Sequence, residues 1–372
     1  MKPIYKILIA IGVVLVLGAG IYFIWWLFID APTAEVPPDG VLPPGNGGAP
    51  VTTTTPSGGE MLLPISRAIS DRIIFDYWLV PETGEVYYLT PEGYIYVAKE
   101  GPDLELSHQI ITALNHAEPS LDGRRLLVSF GNPSAPQWGI FDTVDSVWRP
   151  LPREVTNAGW GRSSSELVAS VTSGNDTNLS FVDISKTPPV YTVLARNFLM
   201  ADVMLGTLEG GDILIVERAT ARFEGRIWRL NPVTRAFTLA LSPTLGRIVK
   251  VEKGDNVTYF SDTESFSIAD GALQNPFSLF FRTLPDKCAA AASTSYCFIP
   301  RNLAANTVFP DDYLMRNFYS IDSLYAIAHP SRAIRALVLG DVSFDASRVR
   351  AHEKTVYFID RYSSLLYKLD IE

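Results

Sequence analysis

The stretch AEPSLDGRRLLVSF, Ala117 to Phe130, decides how the rest of the chain is read. An extended lead-in meets an Asp-Gly turn and is followed at once by a run of strand-forming residues, the pattern of a tight hairpin. Six other segments have the same layout: RIIFDYWLVPETGEVYYL around Gly84, NAGWGRSSSELVASV around Ser165, ADVMLGTLEGGDILIVE around Gly211, RIVKVEKGDNVTYFS around Gly254, DKCAAAASTSYCFI around Ser293 and VRAHEKTVYFID around Glu353. The turns are 39, 42, 46, 43, 39 and 60 residues apart. Five of these six spacings are near forty, the length of a four-stranded propeller blade.

The second half of each unit agrees. WGIFDT and SVWRPL, LSFVDI and VYTVLA, and RIWRLN and AFTLAL are further strand pairs, with Asp142-Thr143 and Asn231-Pro232-Val233-Thr234 as turns. No long segment after residue 60 has helical periodicity, so the expected fold is all-β, a propeller of seven blades. Six is the alternative, because the fifth and sixth copies are degenerate. The last copy holds three strands, so a strand at Met61 to Ser66 is expected to complete its blade and close the ring.

The segment Pro119-Ser120-Leu121-Asp122-Gly123-Arg124-Arg125 resembles the TolB-type propeller repeat, in which Trp-Ser-Pro-Asp-Gly-Lys/Arg precedes a strand. Here Pro119 stands for the Trp and Leu121 for the Pro. Gly159-Trp160-Gly161-Arg162 looks like a decayed second copy. Together with the LPDKC, YCFIP and FPDDY stretches, the layout also resembles uncharacterised membrane-anchored propellers of candidate-phylum bacteria. That resemblance implies an exported domain and no known activity.

The propeller region is preceded by two segments of other kinds. Ile7 to Phe28 has 22 residues without a charge, roughly 33 Å as a helix against a bilayer core of about 30 Å. Residues 1–30 are therefore expected to be a cytoplasmic stub and a spanning helix. Lys2 and Lys6 lie on the inner side and Asp30, Glu35 and Asp39 on the outer, which orients the chain with everything after residue 30 exported. A cleaved signal peptide, with Leu17-Gly18-Ala19-Gly20 as its processing site, is the other reading. Residues 31–60 contain seven Pro and six Gly and read as a disordered linker, leaving 61–372 as the extracytoplasmic domain.

The formal net charge of -9, with no Lys/Arg cluster, argues against nucleic acid. Cys288 and Cys297 are the only cysteines and face each other across the sixth hairpin. They form either a cross-strand disulfide, favoured by export, or two small buried thiols. Two thiols without a nearby His exclude a zinc site. The four histidines, His108, His116, His329 and His352, are isolated, and no nucleophile elbow or phosphate loop occurs. No metal, cofactor or catalytic residue is expected.

The 60-residue spacing hides an insertion, Pro300 to Ser320, between the second and third strands of one blade. Its Asp311, Asp312, Tyr313, Arg316 and Asn317 are the candidate binding residues, because long loops on rigid scaffolds carry recognition. The same loop also reads as self-packed on Val308, Phe309, Tyr313 and Leu314. The expected function is a non-catalytic interaction module whose partner is a cell-envelope protein, or a peptide or glycan. The alternative is an exported hydrolase or lyase acting on polysaccharide or peptide through channel carboxylates such as Glu118, Asp202 and Asp345.

Overall fold

The computed structural model describes residues 66–371 except 108, 201–202, 219, 253–256, 330 and 338–342. Seven four-stranded antiparallel sheets succeed one another along the chain, so the ring has seven blades and the six-blade alternative falls. Each of the seven turns expected from the sequence joins the first and second strands of a blade. In the second blade these are β6 (Leu114–Pro119) and β7 (Arg125–Phe130), followed by β8 (Gln137–Asp142) and β9 (Val147–Pro150).

The first strand of each blade is innermost, and the inner strands of neighbouring blades meet around the axis. In the third blade β10 (Val155–Trp160) approaches β14 (Val203–Thr207) of the fourth so closely that a Cβ at Gly159 would lie 1.9 Å from the Leu205 carbonyl oxygen. Only glycine fits there. The core is therefore a series of interfaces between blades. Leu127 and Trp138 of the second blade pack with Trp160 and Leu167 of the third, while the ring of Phe298 of the sixth packs tilted against Phe358 of the seventh, centres 4.8 Å apart. Indole N–H groups stitch adjacent blades: Trp78 donates to the Gly123 carbonyl at 2.9 Å and Trp160 to that of Glu118 at 2.8 Å.

The ring closes by pairing the two ends of the domain. The closing strand is β1 (Ser66–Ala68), opposite β28 (Leu366–Asp370), with Ser66 facing Leu369 and Ala68 facing Tyr367. Met61 to Ile65 lie outside the described residues, as do the Ile7–Phe28 stretch and the linker at 31–60. Among the described residues no helix is long and apolar enough to cross a membrane.

Candidate functional site

Antiparallel order gives the ring two unlike faces. One face carries the first-to-second and third-to-fourth strand turns. The other carries the second-to-third strand loops and the links between blades, and is the loop face. The insertion, residues 301–321 between β23 (Thr294–Pro300) and β24 (Asp322–Ala328), rises on this second face and contains a single helical turn, α1 (Asp311–Leu314).

Most of the candidate binding residues in that loop hold it down. The Asp311 carboxylate accepts hydrogen bonds from the Ala221 N–H at 2.8 Å and the Thr220 hydroxyl at 3.4 Å, which ties the loop to the fourth blade. The Asp312 carboxylate accepts from the Val308 N–H at 2.7 Å, and the Asp312 carbonyl from the Asn317 N–H at 2.8 Å. Tyr313 is buried, with the Arg361 guanidinium 4.0 Å from its ring centre and the Lys287 ammonium 5.2 Å away. Arg361 also donates to the Tyr313 and Phe318 carbonyls. Arg316 stands exposed in a left-handed conformation (φ 58°), and Asn317 is exposed beside it.

Under the loop lies a buried ionic cluster that the sequence reading missed. Lys287 is fully buried, its Nζ 2.7 Å from carboxylate oxygens of both Asp322 and Asp345, 3.0 Å from Ser320 Oγ and 2.9 Å from the Ala346 carbonyl. Arg361 reaches the other oxygen of Asp345 at 2.9 Å. Burial raises the Asp322 carboxyl above its ordinary value, with the Lys287 ammonium pulling the other way. Burial also pushes the Tyr313 phenol well up. The signal available in the sequence was a lysine directly before an apolar inner strand, in LPDKC, together with the lone aspartates of SIDSL and SFDAS.

Charges also fill the neighbouring part of the channel. Lys250 of the fifth blade donates to the Cys288 and Val349 carbonyls at 2.7 Å each, bridging the inner strands of the sixth and seventh blades, and pairs with Glu252 at 2.7 Å. Arg348 pairs with Asp76, and its N–H donates to Asp286 at 3.0 Å. Cys288 and Cys297 are directly opposite with Cα atoms 4.2 Å apart, fully buried and joined by a disulfide. The bond clips the inner strand of that blade to its neighbour.

The opposite half of the ring is open. A cavity of about 1530 Å³ follows the inner strands of the second to fifth blades up to the loop face. Its lining is mostly apolar or small, and among the described residues His116, Glu118 and Arg153 are its only ionisable side chains. His116 Nε2 and the Glu118 carboxylate are 3.9 Å apart. Arg153 belongs to the blade link at the rim, before β10, whereas Glu118 is level with Trp160 at the far end of that strand. The three therefore do not converge. Of the other channel carboxylates, Asp345 is consumed by Lys287 and Arg361, and Asp202 lies outside the described residues. His329 shares a hydrogen bond of 2.5 Å with Ser295, which also bonds the Tyr259 hydroxyl at 2.7 Å, and burial lowers the imidazole. Ser295 is fully buried and His329 half-buried, so the serine hydroxyl is not open to a substrate. Among the described residues no group of His, Cys, Asp and Glu could hold a metal ion.

No protein-family model and no curated protein matches the sequence. Solved structures do. The β-propeller domain of Cps50 (Swd1) from Myceliophthora thermophila is 11% identical, with a TM-score of 0.53 over 82% of this chain and 98% of that one. Virginiamycin B lyase from Staphylococcus aureus is also 11% identical, with a TM-score of 0.53 over 83% of this chain and 99% of that one. TolB from Acinetobacter baumannii, 14% identical, aligns over 55% of this chain and 54% of that one with a TM-score of 0.41. The first two likenesses establish the propeller fold alone. With an enzyme among them, the fold does not separate binding from catalysis.

Proposed function

We propose that this chain is a membrane-anchored, extracytoplasmic binding module of the cell envelope that holds a partner protein on its loop face without catalysing a reaction. The observation that carries this reading is the division of the channel. One half is occupied by charges already paired with one another, and the other is a wide chamber in which, among the described residues, His116 and Glu118 lie together at the inner end and Arg153 stands apart from them at the rim. General acid-base chemistry needs groups converging within hydrogen-bond reach of one substrate atom. A rigid ring with a shaped opening suits recognition. The uncharged Ile7–Phe28 stretch and the Pro/Gly-rich linker support the anchored, exported location, and a tether raises local concentration near other envelope components.

The test is in-cell photo-crosslinking of the full chain from two positions, Met315 on the loop face (62% exposed) and Val233 on the opposite face (88% exposed). A discrete envelope-protein adduct should form from Met315 and not from Val233. Adducts from neither, or from Val233 alone, would remove the loop face from the proposal.

A second reading rests on the His116–Glu118 pair, 3.9 Å apart within the chamber. As an acid-base pair it would make the protein an exported hydrolase or lyase acting on polysaccharide or peptide. Turnover of envelope glycan or peptide that disappears in Glu118→Gln would establish it.

A further inference from the structure

From the chamber's size and lining we infer that it takes an extended peptide segment carrying a basic side chain, with that side chain directed at Glu118. The inference rests on the reading of the loop face as the partner-binding face and names what enters it. At about 1530 Å³ the chamber exceeds the roughly 300–1,000 Å³ of sites built for small molecules, so a polymer segment is the fitting occupant. Two of the four inner strands that form its wall contain an irregularity near the mouth. The register shifts between Leu114 and His116 in β6 and between Val155 and Asn157 in β10, and bulges of this kind bend a strand and re-aim its side chains.

The lining favours peptide over glycan. Leu199 is 86% exposed and Met204 52% exposed on the chamber wall, apolar surface that an aliphatic side chain would cover, with the unbranched methionine adapting to its shape. Two of the aromatic residues in the lining, Trp138 and Phe198, are buried, and the Trp138 indole N–H is already used by the Thr156 carbonyl. They offer little ring face for a sugar to stack on.

Two polar groups in the wall lack partners. The Ser170 hydroxyl is buried with no hydrogen-bond partner. The Glu118 carboxylate has none among the described residues beyond the distant contact with His116. A half-buried carboxylate without a hydrogen-bond donor, at the inner end of a passage with no other described carboxylate, selects a cation, in keeping with the chain's net charge of -9. Arg153 at the rim is placed to meet a carboxylate or backbone carbonyl of the same segment.

The experiment uses the full chain in detergent and fluorescent decapeptides of alternating Leu and Ser with Lys or Glu at the centre, read by anisotropy, with chitotetraose as competitor. The Lys peptide should bind on the order of tenfold more tightly than the Glu peptide. Glu118→Gln should bring the two to near parity with the melting temperature unchanged, and Met204→Trp should weaken both. Equal binding of the two peptides, absence of binding, indifference to both substitutions, or displacement by chitotetraose would overturn the inference. The Met315 crosslink separates the layers: if it persists in Met204→Trp, a chamber that fails the peptide test leaves the loop-face reading standing. If the wild type gives no crosslink from Met315, the broader reading fails as well.

Discussion

At the scale of single residues, Lys287 is the most exacting position in the domain. Its ammonium has three N–H donors for four nearby oxygens, two of them on aspartates that are themselves fully sealed from water. Removing one member of such a cluster is costly because the desolvation of the remaining charges is no longer offset. Lys287→Met should therefore lose about 3–5 kcal/mol in urea unfolding. Pairing it with Asp322→Leu should recover part of that loss. If the double variant is no better than the single one, packing of the lysine stem rather than uncompensated charge sets the cost. Arg361 links this cluster to the insertion, since the same guanidinium that reaches Asp345 also donates to the Tyr313 carbonyl.

At the scale of elements, the insertion is a fixed cover over the charged half of the channel. Pro310 seats against Gly246, where a Cβ would come within 2.8 Å of its Cδ, and Asp311 ties the helical turn to the fourth blade. Asp311→Ala should free the loop while sparing the sheets. Limited proteolysis should then cut within 301–321 several-fold faster than in the wild type, with the unfolding free energy lowered by only about 1–3 kcal/mol, the value of the hydrogen bonds lost to this carboxylate. Unchanged cleavage would mean that Tyr313 and Phe309 alone keep the loop closed. The sequence announced this element through the single long spacing among the hairpins, but not what its residues do. An aspartate that caps a neighbouring loop and one that awaits a ligand are identical as letters, and the difference lies in Ala221, 90 positions away. Hairpin recognition had a comparable limit. The left-handed turn position is glycine at Gly84, Gly123 and Gly211, where the repeat was plain, but Ala292 and Glu353 take the same positive φ in the sixth and seventh blades. The motif decays there because the backbone shape is kept by its surroundings after the glycine is lost. The chamber was the least legible feature: its walls come from four blades, and only the closed ring brings His116, Met204 and Val251 to one space.

At the scale of the whole molecule, six of the seven blades are covalently continuous and one is assembled from both ends of the domain. Among the described residues the joint is three residues of β1, and it is reinforced at its end by two hydrogen bonds. The Ile69 N–H donates to the Leu366 carbonyl at 2.9 Å, and the Leu366 N–H donates to the Ser70 hydroxyl at 2.9 Å. In the first blade the Leu106 N–H makes the equivalent bond to the Ile95 carbonyl at 2.8 Å, but there the outer strand is continuous with the rest of its blade. Losing the bond in the first blade should only fray an edge. Losing it at the joint releases the end of the domain, exposes β28 as an unpaired strand and lets the first and seventh blades part. Ile69→Pro with Ser70→Ala should consequently lower the melting temperature by several degrees and produce concentration-dependent association in light scattering, whereas Leu106→Pro should lower it without association. The chamber depends on this joint only indirectly, because its walls are the second to fifth blades on the far side of the ring. Peptide binding by the joint variant at low concentration should therefore survive, and its loss together with closure would show that the open half of the channel takes its shape from the tension of the complete ring.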